Sequence, residues 1–560
     1  MIKQTAICHI AAPPWQYVDS DNTLYLTVRA EAGVVDFMTC FACDPCDTQK
    51  SPQGQDIPNL SEFTVTLELS SCGWDYYTLK IPMSTHKLRY HFLLRSKSGE
   101  NLVLDSSGIM ENKDEIFIRP FFVTYTYPKL YHSAPEWASD MIWYQIFPDR
   151  FAGHGERVAK PVVNKDTVYG GTLTGIMAKV PYLKKLGITG IYLNPIFQAE
   201  SIHRYDIVDY FKIDPKLGTE ADLIELCDIC HDCGIKVMLD GVYNHCSYKS
   251  ALFQDVMELG HESKYYDWFL VHDEDRMMAM DRKHIDAADF RKAAPYETFA
   301  FVPSMPKFNT ENPKVMDFLI SSAEYWTKKC HIDAWRLDVP DEVNVRFLRQ
   351  FRSRLKLVNP DIYLIGEYWS DATPWLNGEL FDGAMNYPLY FIIRDFLALG
   401  HGDAYSCADS LARCLMEHPA PVRKGMFNFC STHDVPRILW HCHEDKNLMG
   451  LCYILTAVFD GGMSVYYGDE VGMTGGYDPD NRRCFPIKTN LPNPLILEAI
   501  KLKKSTATHG LHKITALDKD ILCLYFENSH LLVNRSEEEK LCGHRVKLAP
   551  KSYALVPKND

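Results

Sequence analysis

Eight short apolar stretches, most of them followed by a segment with helical periodicity, constrain the fold of this chain more than any other feature. Each stretch has the length and apolarity of a buried strand, and helical spacing of apolar residues is clear over 220–233, 314–329 and 495–504. Strands that alternate with helices predict a parallel sheet, and eight of them predict an α/β fold, the (β/α)8 TIM barrel. The eight stretches are 141–147, 188–193, 236–242, 332–337, 362–366, 383–387, 426–429 and 463–467.

The segments on either side of the barrel show the alternation of apolar and polar residues that half-buried strands have. Residues 23–28 and 63–69 indicate an N-terminal β-sandwich, and residues 521–526 and 552–556 indicate a small C-terminal β-domain. The predicted domains are therefore 1–125, 126–505 and 506–560.

The segment that follows the third strand, residues 246–311, is too long for an ordinary loop. It carries aromatic residues of its own, among them Tyr265, Trp268 and Phe269. We therefore predict an inserted subdomain that forms one wall of the site, because barrel enzymes have their sites at the carboxyl ends of the strands.

Composition excludes some partners and indicates a compartment. The formal net charge of -14 argues against nucleic acid and an anionic membrane, whereas neutral carbohydrate stays open as a ligand. The N-terminal sequence is a poor secretory signal, and the most apolar run, 448–459, is too short to span a bilayer and is predicted as a buried helix. The 18 cysteines are scattered, so we predict reduced thiols in a cytoplasmic protein.

Two clusters of cysteines raise the question of a zinc site. Neither cluster has a second pair of ligands at a suitable spacing, so we interpret both as packing residues and predict no metal. The clusters are Cys40, Cys43, Cys46 and Cys227, Cys230, Cys233.

Residues 332–369 predict a strand, a helix over 342–358 and a second strand, which places Asp338 and Glu367 at one edge of the sheet. Arg336 lies two residues before Asp338, on the same face of the strand, and a guanidinium there should keep the carboxylate ionised. An ionised Asp that faces a Glu is the pair that a retaining glycosidase needs. Two structural alternatives stay open at this point: Asp338 as the cap of the helix, and Glu367 as an ordinary residue at a strand end.

Further polar residues follow the other predicted strands. Asp240 and Asn244 are interpreted as structural, and a single histidine at a strand end is more often a core residue than a ligand-binding one. Together, however, such residues at one end of a barrel indicate a polar binding site. They are Asp240, Asn244 and His245 at the end of the third strand, Tyr205 after the second, and His433 and Asp434 after the seventh.

The motifs that contain these residues resemble those of the α-amylase superfamily of glycoside hydrolases, and the resemblance covers most of the chain. Residues 305–309 and 475–483, and the N-terminal β-domain, further resemble the group of neopullulanases, cyclomaltodextrinases and maltogenic amylases, whose N-terminal domain is like a carbohydrate-binding module. The superfamily motifs are 144–151, 240–245, 335–338, 366–367, 433–434 and 466–470.

The resemblance implies roles for nine residues. Asp338 would be the catalytic nucleophile, Glu367 the general acid/base and Asp434 the third carboxylate, which binds sugar hydroxyls. Six further residues would bind the substrate, Tyr205 by stacking and the others through polar contacts: Tyr205, His245, Arg336, His433, Asp478 and Arg482. For Trp369 and Phe308, the sequence does not distinguish between lining the site and packing in the core.

The sequence departs from this group at two places. Many relatives bind calcium near the first strand, but residues 151–157 lack Asn and Asp here, and Thr172 stands where Asp is usual. We therefore predict that the calcium site is absent and that the protein needs no cofactor. Tyr368 and Ser370 also replace an aliphatic residue and a histidine beside Glu367, which affects the shape of the leaving-group side.

We predict a retaining hydrolase that cleaves α-1,4-glucosidic bonds of cyclodextrins and maltooligosaccharides, with pullulan and starch as further substrates. The alternatives are an exo-acting or α-1,6-active α-glucosidase of the same superfamily, and a carbohydrate-binding protein without catalysis. The resemblance also implies a homodimer in which the N-terminal domain of one chain covers the site of the other.

Overall fold

The structure, a computed structural model, contains the barrel of eight parallel strands that the sequence predicts. It describes residues 6–52, 54, 56–111, 118–125, 134–153, 164, 166–280, 287–486, 491–542 and 546–558. Contacts divide the chain into two units, one of 134–394 and 424–504, the other of 1–133, 395–423 and 505–560.

Apart from Lys236 at the start of β3, the residues of the barrel strands are buried, which explains why these strands form continuous apolar runs rather than alternating ones. They are β1 (Ile142–Ile146), β2 (Gly190–Leu193), β3 (Lys236–Gly241), β4 (Ala334–Leu337), β5 (Tyr363–Gly366), β6 (Gly383–Ala384), β7 (Phe427–Phe429) and β8 (Gly462–Tyr466). Each pairs in parallel with its neighbour around the ring, and the bridge between Met385 and Phe427 brings β6 beside β7.

All eight predicted strands are present, with shifts at their ends. The largest shift is at β6, which is predicted to reach residue 387 but ends at Ala384. The chain turns into the helix Tyr387–Ile393 there, because Oδ1 of Asn386 caps it by accepting from the N–H of Leu389 at 3.2 Å.

The helix between β4 and β5 begins later than predicted. It spans Val345–Val358 and is capped by Asn344, whose side chain accepts from the N–H of Arg346. The interpretation of Asp338 as the cap of this helix is therefore wrong, since Asp338 lies several residues earlier and contacts Arg336 instead.

The remaining helices of the barrel unit agree with the predicted periodicity where it is clear. The apolar run 448–459 lies mostly in the buried helix Lys446–Ala457, which ends two residues before the run does. The α-helices are Pro148–Phe151, Leu173–Met177, Val180–Leu186, Glu220–Asp232, Ala251–Leu259, Glu274–Ala279, Ala287–Lys292, Pro313–Cys330, Val345–Val358, Tyr387–Ile393, Ile438–His441, Lys446–Ala457 and Pro494–Lys503. Short 3-10 turns are Glu136–Ala138, Gly260–Glu262, Tyr266–Trp268, Phe299–Phe301, Pro340–Glu342, Thr373–Trp375, Asp469–Val471 and Asp480–Arg482. A π-helical turn, Arg394–Ala398, begins at Arg394 of this unit and continues into the residues that group with the second unit. Within the described part of the chain, no helix is both long and apolar enough to cross a membrane.

Two loops of the barrel unit carry structure of their own. The hairpin of Phe197–Ala199 and Ile207–Ile213 follows β2. The segment 246–311 after β3 contains helices, as the predicted inserted subdomain requires, and returns to the barrel where Lys307 bridges to His245.

The second unit is built on a β-sandwich with a shared apolar core. One sheet has nine strands: Ile7–Cys8, Gln16–Val18, Thr23–Glu31, Thr66–Ser70, Trp74–Pro82, Lys513–Asp518, Ile521–Tyr525, Ser529–Asn534 and Ser552–Pro557. The other has six: Val35–Cys43, Ser61–Thr64, Leu88–Ser96, Asn101–Asp105, Gly108–Glu111 and Phe121–Val123. Two small hairpins pair Thr48–Lys50 with Asp56–Pro58 and Lys540–Cys542 with Val546–Leu548, and the helical segments are Ala404–Met416, Ala420–Arg423 and Thr506–Thr508.

Three features of this unit differ from the pattern in the sequence. The alternating run 63–69 is divided between the two sheets, with the break at Val65. The N-terminal and C-terminal β-segments share one sheet, because Ser70 pairs in parallel with Lys513. Residues 395–423, which the sequence places in the barrel domain, group with this unit, where the helix Ala404–Met416 packs on the strand Lys513–Asp518.

Candidate active site

Arg336 lies at the centre of the candidate site, near the carboxyl end of β4, with its guanidinium fully buried. Its Nη1 donates to Oδ1 of Asp338 and to Oδ1 of Asp240, each at 2.8 Å, and its Nη2 lies 2.8 Å from Oε2 of Glu367. Oδ2 of Asp434 is farther away, at 3.9 Å from Nη2. A single cation is thus shared by carboxyl groups from the ends of four barrel strands.

Glu367 follows β5 and accepts hydrogen bonds on both carboxyl oxygens. Oε2 accepts from the backbone N–H of Val339 at 3.3 Å, and Oε1 accepts from the indole Nε1–H of Trp369 at 3.1 Å. Val339 has a left-handed φ of 45°, which a β-branched residue rarely adopts. The strained turn directly after Asp338 therefore helps to orient the Glu367 carboxyl group.

The carboxyl groups around Arg336 oppose one another's ionisation. Burial raises the pKa of Asp338 well above its usual value, Arg336 opposes this shift, and the neighbouring Glu367 adds to it. Burial also raises the pKa of Asp434 to about 7, and Glu367 adds to that shift. The sequence predicts that Arg336 keeps Asp338 ionised, whereas burial outweighs the guanidinium here. Burial and mutual repulsion therefore favour a proton on this cluster, as a site with an acid catalyst requires.

Tyr205 and Asp240 are joined beneath the site. Oδ2 of Asp240 accepts from the hydroxyl of Tyr205 at 2.9 Å and from that of Tyr192 at 2.6 Å. The Nδ2 of Asn194 donates to the Tyr205 hydroxyl oxygen at 3.0 Å. Asp240 is buried and holds Tyr205 in place.

His433 packs beside Tyr205 with its ring nearly parallel, at a centroid distance of 5.4 Å and an angle of 4°. Its Nε2 contacts the Tyr205 hydroxyl and lies 3.1 Å from Oδ2 of Asp434, and its Nδ1 lies 2.9 Å from Nε2 of Gln145. Burial lowers the pKa of His433 well below its usual value, and Arg482 lowers it further. The imidazole is therefore neutral at physiological pH.

Arg482 connects the predicted residues that follow β7 and β8. Its Nη2 lies 3.7 Å from Oδ1 of Asp434, its Nη1 lies 3.2 Å from Oδ1 of Asp478, and its Nε–H donates to the carbonyl oxygen of His433 at 3.0 Å. The structure thus brings Asp478 and Arg482 to the edge of the carboxyl cluster.

His245 follows β3 and stacks on Phe299 from the inserted subdomain, at a centroid distance of 4.9 Å and an angle of 15°. Burial lowers the pKa of His245 to about 4, so the ring is neutral. Its Nε2 is buried and has no hydrogen-bond partner among the described residues, which leaves this nitrogen available to a ligand.

A cavity of about 500 Å³ opens over these groups. Seven of the nine predicted residues line it, and Arg336 and His433 lie beneath it. The seven lining residues are Tyr205, His245, Asp338, Glu367, Asp434, Asp478 and Arg482.

The structure also decides between the alternatives for Trp369 and Phe308. Trp369 lines the cavity, whereas Phe308 is buried and packs against Phe269 at a centroid distance of 5.2 Å. Sequence reasoning missed the lining residues Phe299 and Asp341, for which no local pattern is diagnostic. It also gave no role to Gln145, although this residue lies within the motif 144–151.

Metal binding is a separate question from the carboxyl cluster. Among the residues that the structure describes, no three His, Cys, Asp or Glu side chains are grouped so that they could hold a metal ion. The calcium prediction depends on residues 151–157, of which 154–157 lie outside the described residues, and on Thr172, whose side chain caps the helix Leu173–Met177. The absence of a calcium site stays a prediction.

Comparison with known families identifies the barrel. The profile described as "Alpha amylase, catalytic domain" matches residues 145–507, and that described as "Alpha amylase, N-terminal ig-like domain" matches residues 1–127. The chain belongs to the alpha-amylase family. This protein is therefore a glycoside hydrolase, and its N-terminal sandwich is the Ig-like domain of that family.

Several relatives resemble this alpha-amylase-family enzyme over most of their length. A cyclomaltodextrinase of Geobacillus thermopakistaniensis is 36% identical over 96% of this chain and 92% of its own. Neopullulanase 2 of Thermoactinomyces vulgaris is 35% identical over 85% of this chain and 80% of its own.

Solved structures agree with this assignment. The structure of a cyclomaltodextrinase matches with a TM-score of 0.82 and 30% identity, and covers 96% of this chain and 92% of its own. A cyclic alpha-maltosyl-(1→6)-maltose hydrolase from Arthrobacter globiformis matches with a TM-score of 0.69 and 32% identity, over 76% of this chain and 100% of its own.

Proposed function

We propose that this enzyme is a retaining α-glucan hydrolase that cleaves α-1,4 bonds of cyclodextrins and maltooligosaccharides, with pullulan and starch as further substrates. The observation that carries the proposal is the pairing of Asp338 and Glu367 with the two terminal nitrogens of one buried guanidinium. This pairing holds the two carboxyl groups side by side at the floor of a cavity, as a double-displacement glycosidase requires.

The proposed reaction has two steps. In the first, Glu367 gives its proton to the glycosidic oxygen, the bond from this oxygen to the anomeric carbon breaks, and Asp338 forms a covalent bond to that carbon. In the second, Glu367 takes a proton from water, whose oxygen attacks the anomeric carbon and releases Asp338. Two inversions give net retention of configuration.

The neighbouring groups are proposed to bind the sugar at the cleavage point. Asp434 would accept hydrogen bonds from its hydroxyl groups, and the buried His245 and His433 would donate to it, because both imidazoles are neutral and carry one N–H. Tyr205 would stack under the ring, while Asp478 and Arg482 would bind the adjacent sugar.

The substrate class is supported by the names of the relatives, which include cyclomaltodextrinase and neopullulanase. We also propose that the protein is cytoplasmic, as its cysteine content suggests and as a relative named intracellular maltogenic amylase supports. We further propose that it acts as a homodimer without calcium. Sedimentation that finds only monomer at micromolar concentration would contradict the dimer.

A second candidate is cleavage of α-1,6 bonds. It is favoured by the similarity to the cyclic alpha-maltosyl-(1→6)-maltose hydrolase, whose name includes a 1→6 linkage. The residues that distinguish the two bonds would lie on the leaving-group side of Glu367, where Trp369 and Asp341 line the cavity.

The test is product analysis with β-cyclodextrin, pullulan and soluble starch in parallel, with and without EDTA. Rapid ring opening, slow starch cleavage and no effect of EDTA support the proposal. Fast starch cleavage with little action on the ring contradicts it, and products from pullulan identify the bond that is cut. Asp338→Asn is the control. Loss of turnover in this variant supports a hydrolase, because a protein that only binds carbohydrate has no turnover to lose.

A further inference from the structure

Both ring nitrogens of His433 face polar groups that constrain where its proton lies. Nδ1 lies 2.9 Å from Nε2 of Gln145, and Nε2 lies 3.1 Å from Oδ2 of Asp434 and contacts the Tyr205 hydroxyl. The ring is almost completely buried and neutral, so it carries a single N–H. Either nitrogen can hold that hydrogen, and the neighbours decide which one does.

The orientation of the Gln145 side-chain amide is set by a second contact. Its Nε2 also donates to Oδ1 of Asn194 at 3.2 Å, while its Oε1 is buried with no hydrogen-bond partner in the described chain. Reversal of the amide would bring Oε1 against Oδ1 of Asn194, and two acceptors would then face each other.

The orientation of Asn194 is set in turn by the carboxylate of Asp240. Asn194 donates through Nδ2 to the Tyr205 oxygen at 3.0 Å, and Tyr205 uses its only hydroxyl hydrogen to reach Asp240 at 2.9 Å. Asp240 is bound by Arg336 at 2.8 Å and accepts hydrogen bonds. The hydrogen bonds from Gln145 through Asn194 and Tyr205 to Asp240 therefore all run in one direction, with each residue donating to the next.

We propose that Gln145 is a positioning residue that fixes His433 as the tautomer with its hydrogen on Nε2. Gln145 presents an N–H to Nδ1, which must then be the acceptor, so the hydrogen is on Nε2, which faces Asp434 and the Tyr205 hydroxyl. The inference rests on the proposed function, since this N–H is the group that His433 would offer to Asp434 and to a sugar hydroxyl.

The opposite tautomer would weaken the site in three ways. Its Nε2 lone pair would face the lone pairs of Asp434 and Tyr205, which is repulsive in a buried environment. Its Nε2 would also have no hydrogen to donate to a sugar hydroxyl. In addition, the N–H on Nδ1 would face the N–H of Gln145, and two donors cannot form a hydrogen bond with each other. Gln145 thus acts on the substrate only through His433.

The direct test is two-bond ¹H–¹⁵N correlation spectroscopy of the full-length protein labelled at histidine. The His433 signal is assigned by its loss in His433→Gln. We expect the pattern of a neutral imidazole with hydrogen on Nε2 in the unmodified enzyme. A hydrogen on Nδ1 overturns the proposal, and this outcome requires no variant of Gln145 to fold.

Two variants then change the group that faces Nδ1. Gln145→Glu offers only acceptors, so we expect Nδ1 of His433 to become protonated, and Gln145→Leu offers neither donor nor acceptor. We expect kcat/KM on β-cyclodextrin to fall roughly 10- to 100-fold in the leucine variant and further in the glutamate variant. An unchanged tautomer and unchanged kcat/KM in Gln145→Glu overturn the proposal.

The control is Gln350→Glu, the same chemical change at an exposed position of the helix Val345–Val358, which should leave both measurements unchanged. The failure of this inference is distinguishable from failure of the proposed function. If the unmodified protein cleaves no α-glucan, the function is wrong, whereas the spectrum still reports the tautomer. If it cleaves α-glucans with the hydrogen of His433 on Nδ1, only the inference about Gln145 is wrong.

Discussion

Nη2 of Arg336 lies 2.8 Å from Oε2 of Glu367, while Nη1 of the same guanidinium binds Asp338. A planar group with two separate terminal nitrogens can hold two carboxyl groups in a fixed relation. The ammonium of lysine is a single point charge and cannot reproduce both contacts.

We therefore expect Arg336→Lys to lose about 2–4 kcal/mol of transition-state stabilisation, or roughly 30- to 1000-fold in kcat/KM. Steady-state kinetics on β-cyclodextrin measures this loss. Arg349→Lys is the matched control, because it makes the same exchange in a surface ion pair. Arg349 lies 3.0 Å from Glu379, and surface ion pairs contribute little to stability. Equal activity of the two variants would contradict the role of Arg336.

Glu367→Gln tests the assignment of the acid. Glutamine cannot protonate a sugar leaving group, so we expect a loss of roughly 10²- to 10⁴-fold on maltooligosaccharides. Fluoride leaves without protonation, and the first step on α-maltosyl fluoride should be nearly normal. Rapid-quench measurement of fluoride release compares the two substrates, and Asp338→Asn should lose activity on both. Equal losses of Glu367→Gln on the two substrates would argue against its role as acid.

Phe299→Ala tests the wall that the inserted subdomain supplies. Phe299 stacks on His245 and lines the cavity, and aromatic pairs contribute about 0.5–1.5 kcal/mol beyond burial. We expect KM for cyclodextrin to rise roughly 2- to 10-fold. Phe301→Ala is the control two residues away, where the side chain is 53% exposed. The prediction fails if both variants change KM to the same extent.

Glu470 gives a prediction for stability against pH. It is buried beside β8, accepts from the hydroxyls of Tyr144 at 2.9 Å and Tyr182 at 2.8 Å, and burial raises its pKa from 4.5 to about 7. The folded protein therefore holds this proton at higher pH than the unfolded chain. Its stabilising effect is full below pH 4.5 and is lost as pH rises to about 7.

We expect the advantage of the unmodified protein over Glu470→Gln in free energy of unfolding to shrink by about 2–3 kcal/mol between about pH 5 and pH 8. Urea unfolding of both proteins across this range measures the difference. A difference that is independent of pH would show that Glu470 ionises normally in the folded state.

Gly383 tests how the barrel closes between β6 and β7. A Cβ atom at this position would lie 1.5 Å from the carbonyl oxygen of Gly425, so the backbone must move to accommodate any side chain. We expect Gly383→Ala to destabilise the protein by about 3 kcal/mol and to lower the midpoint of thermal unfolding. An unchanged midpoint would contradict this account of the closure.

The sequence by itself determined the architecture of the barrel. Each of its strands is buried on both faces, and a continuous apolar run is a local property that can be read without knowledge of partners. It also determined that Asp338 and Glu367 meet at one edge of the sheet, because parallel strands joined by a helix end on the same side.

The tertiary structure alone decided which polar groups contact one another. Gln145 and His433 are 288 positions apart, and no local pattern pairs them. The same holds for Phe299 against His245 and for the division of residues 63–69 between two sheets. Such contacts depend on distances set by the whole fold, and burial then shifts ionisation at Asp338 against the guanidinium beside it. Periodicity specifies the elements of this protein, whereas packing between distant segments specifies the chemistry of its site.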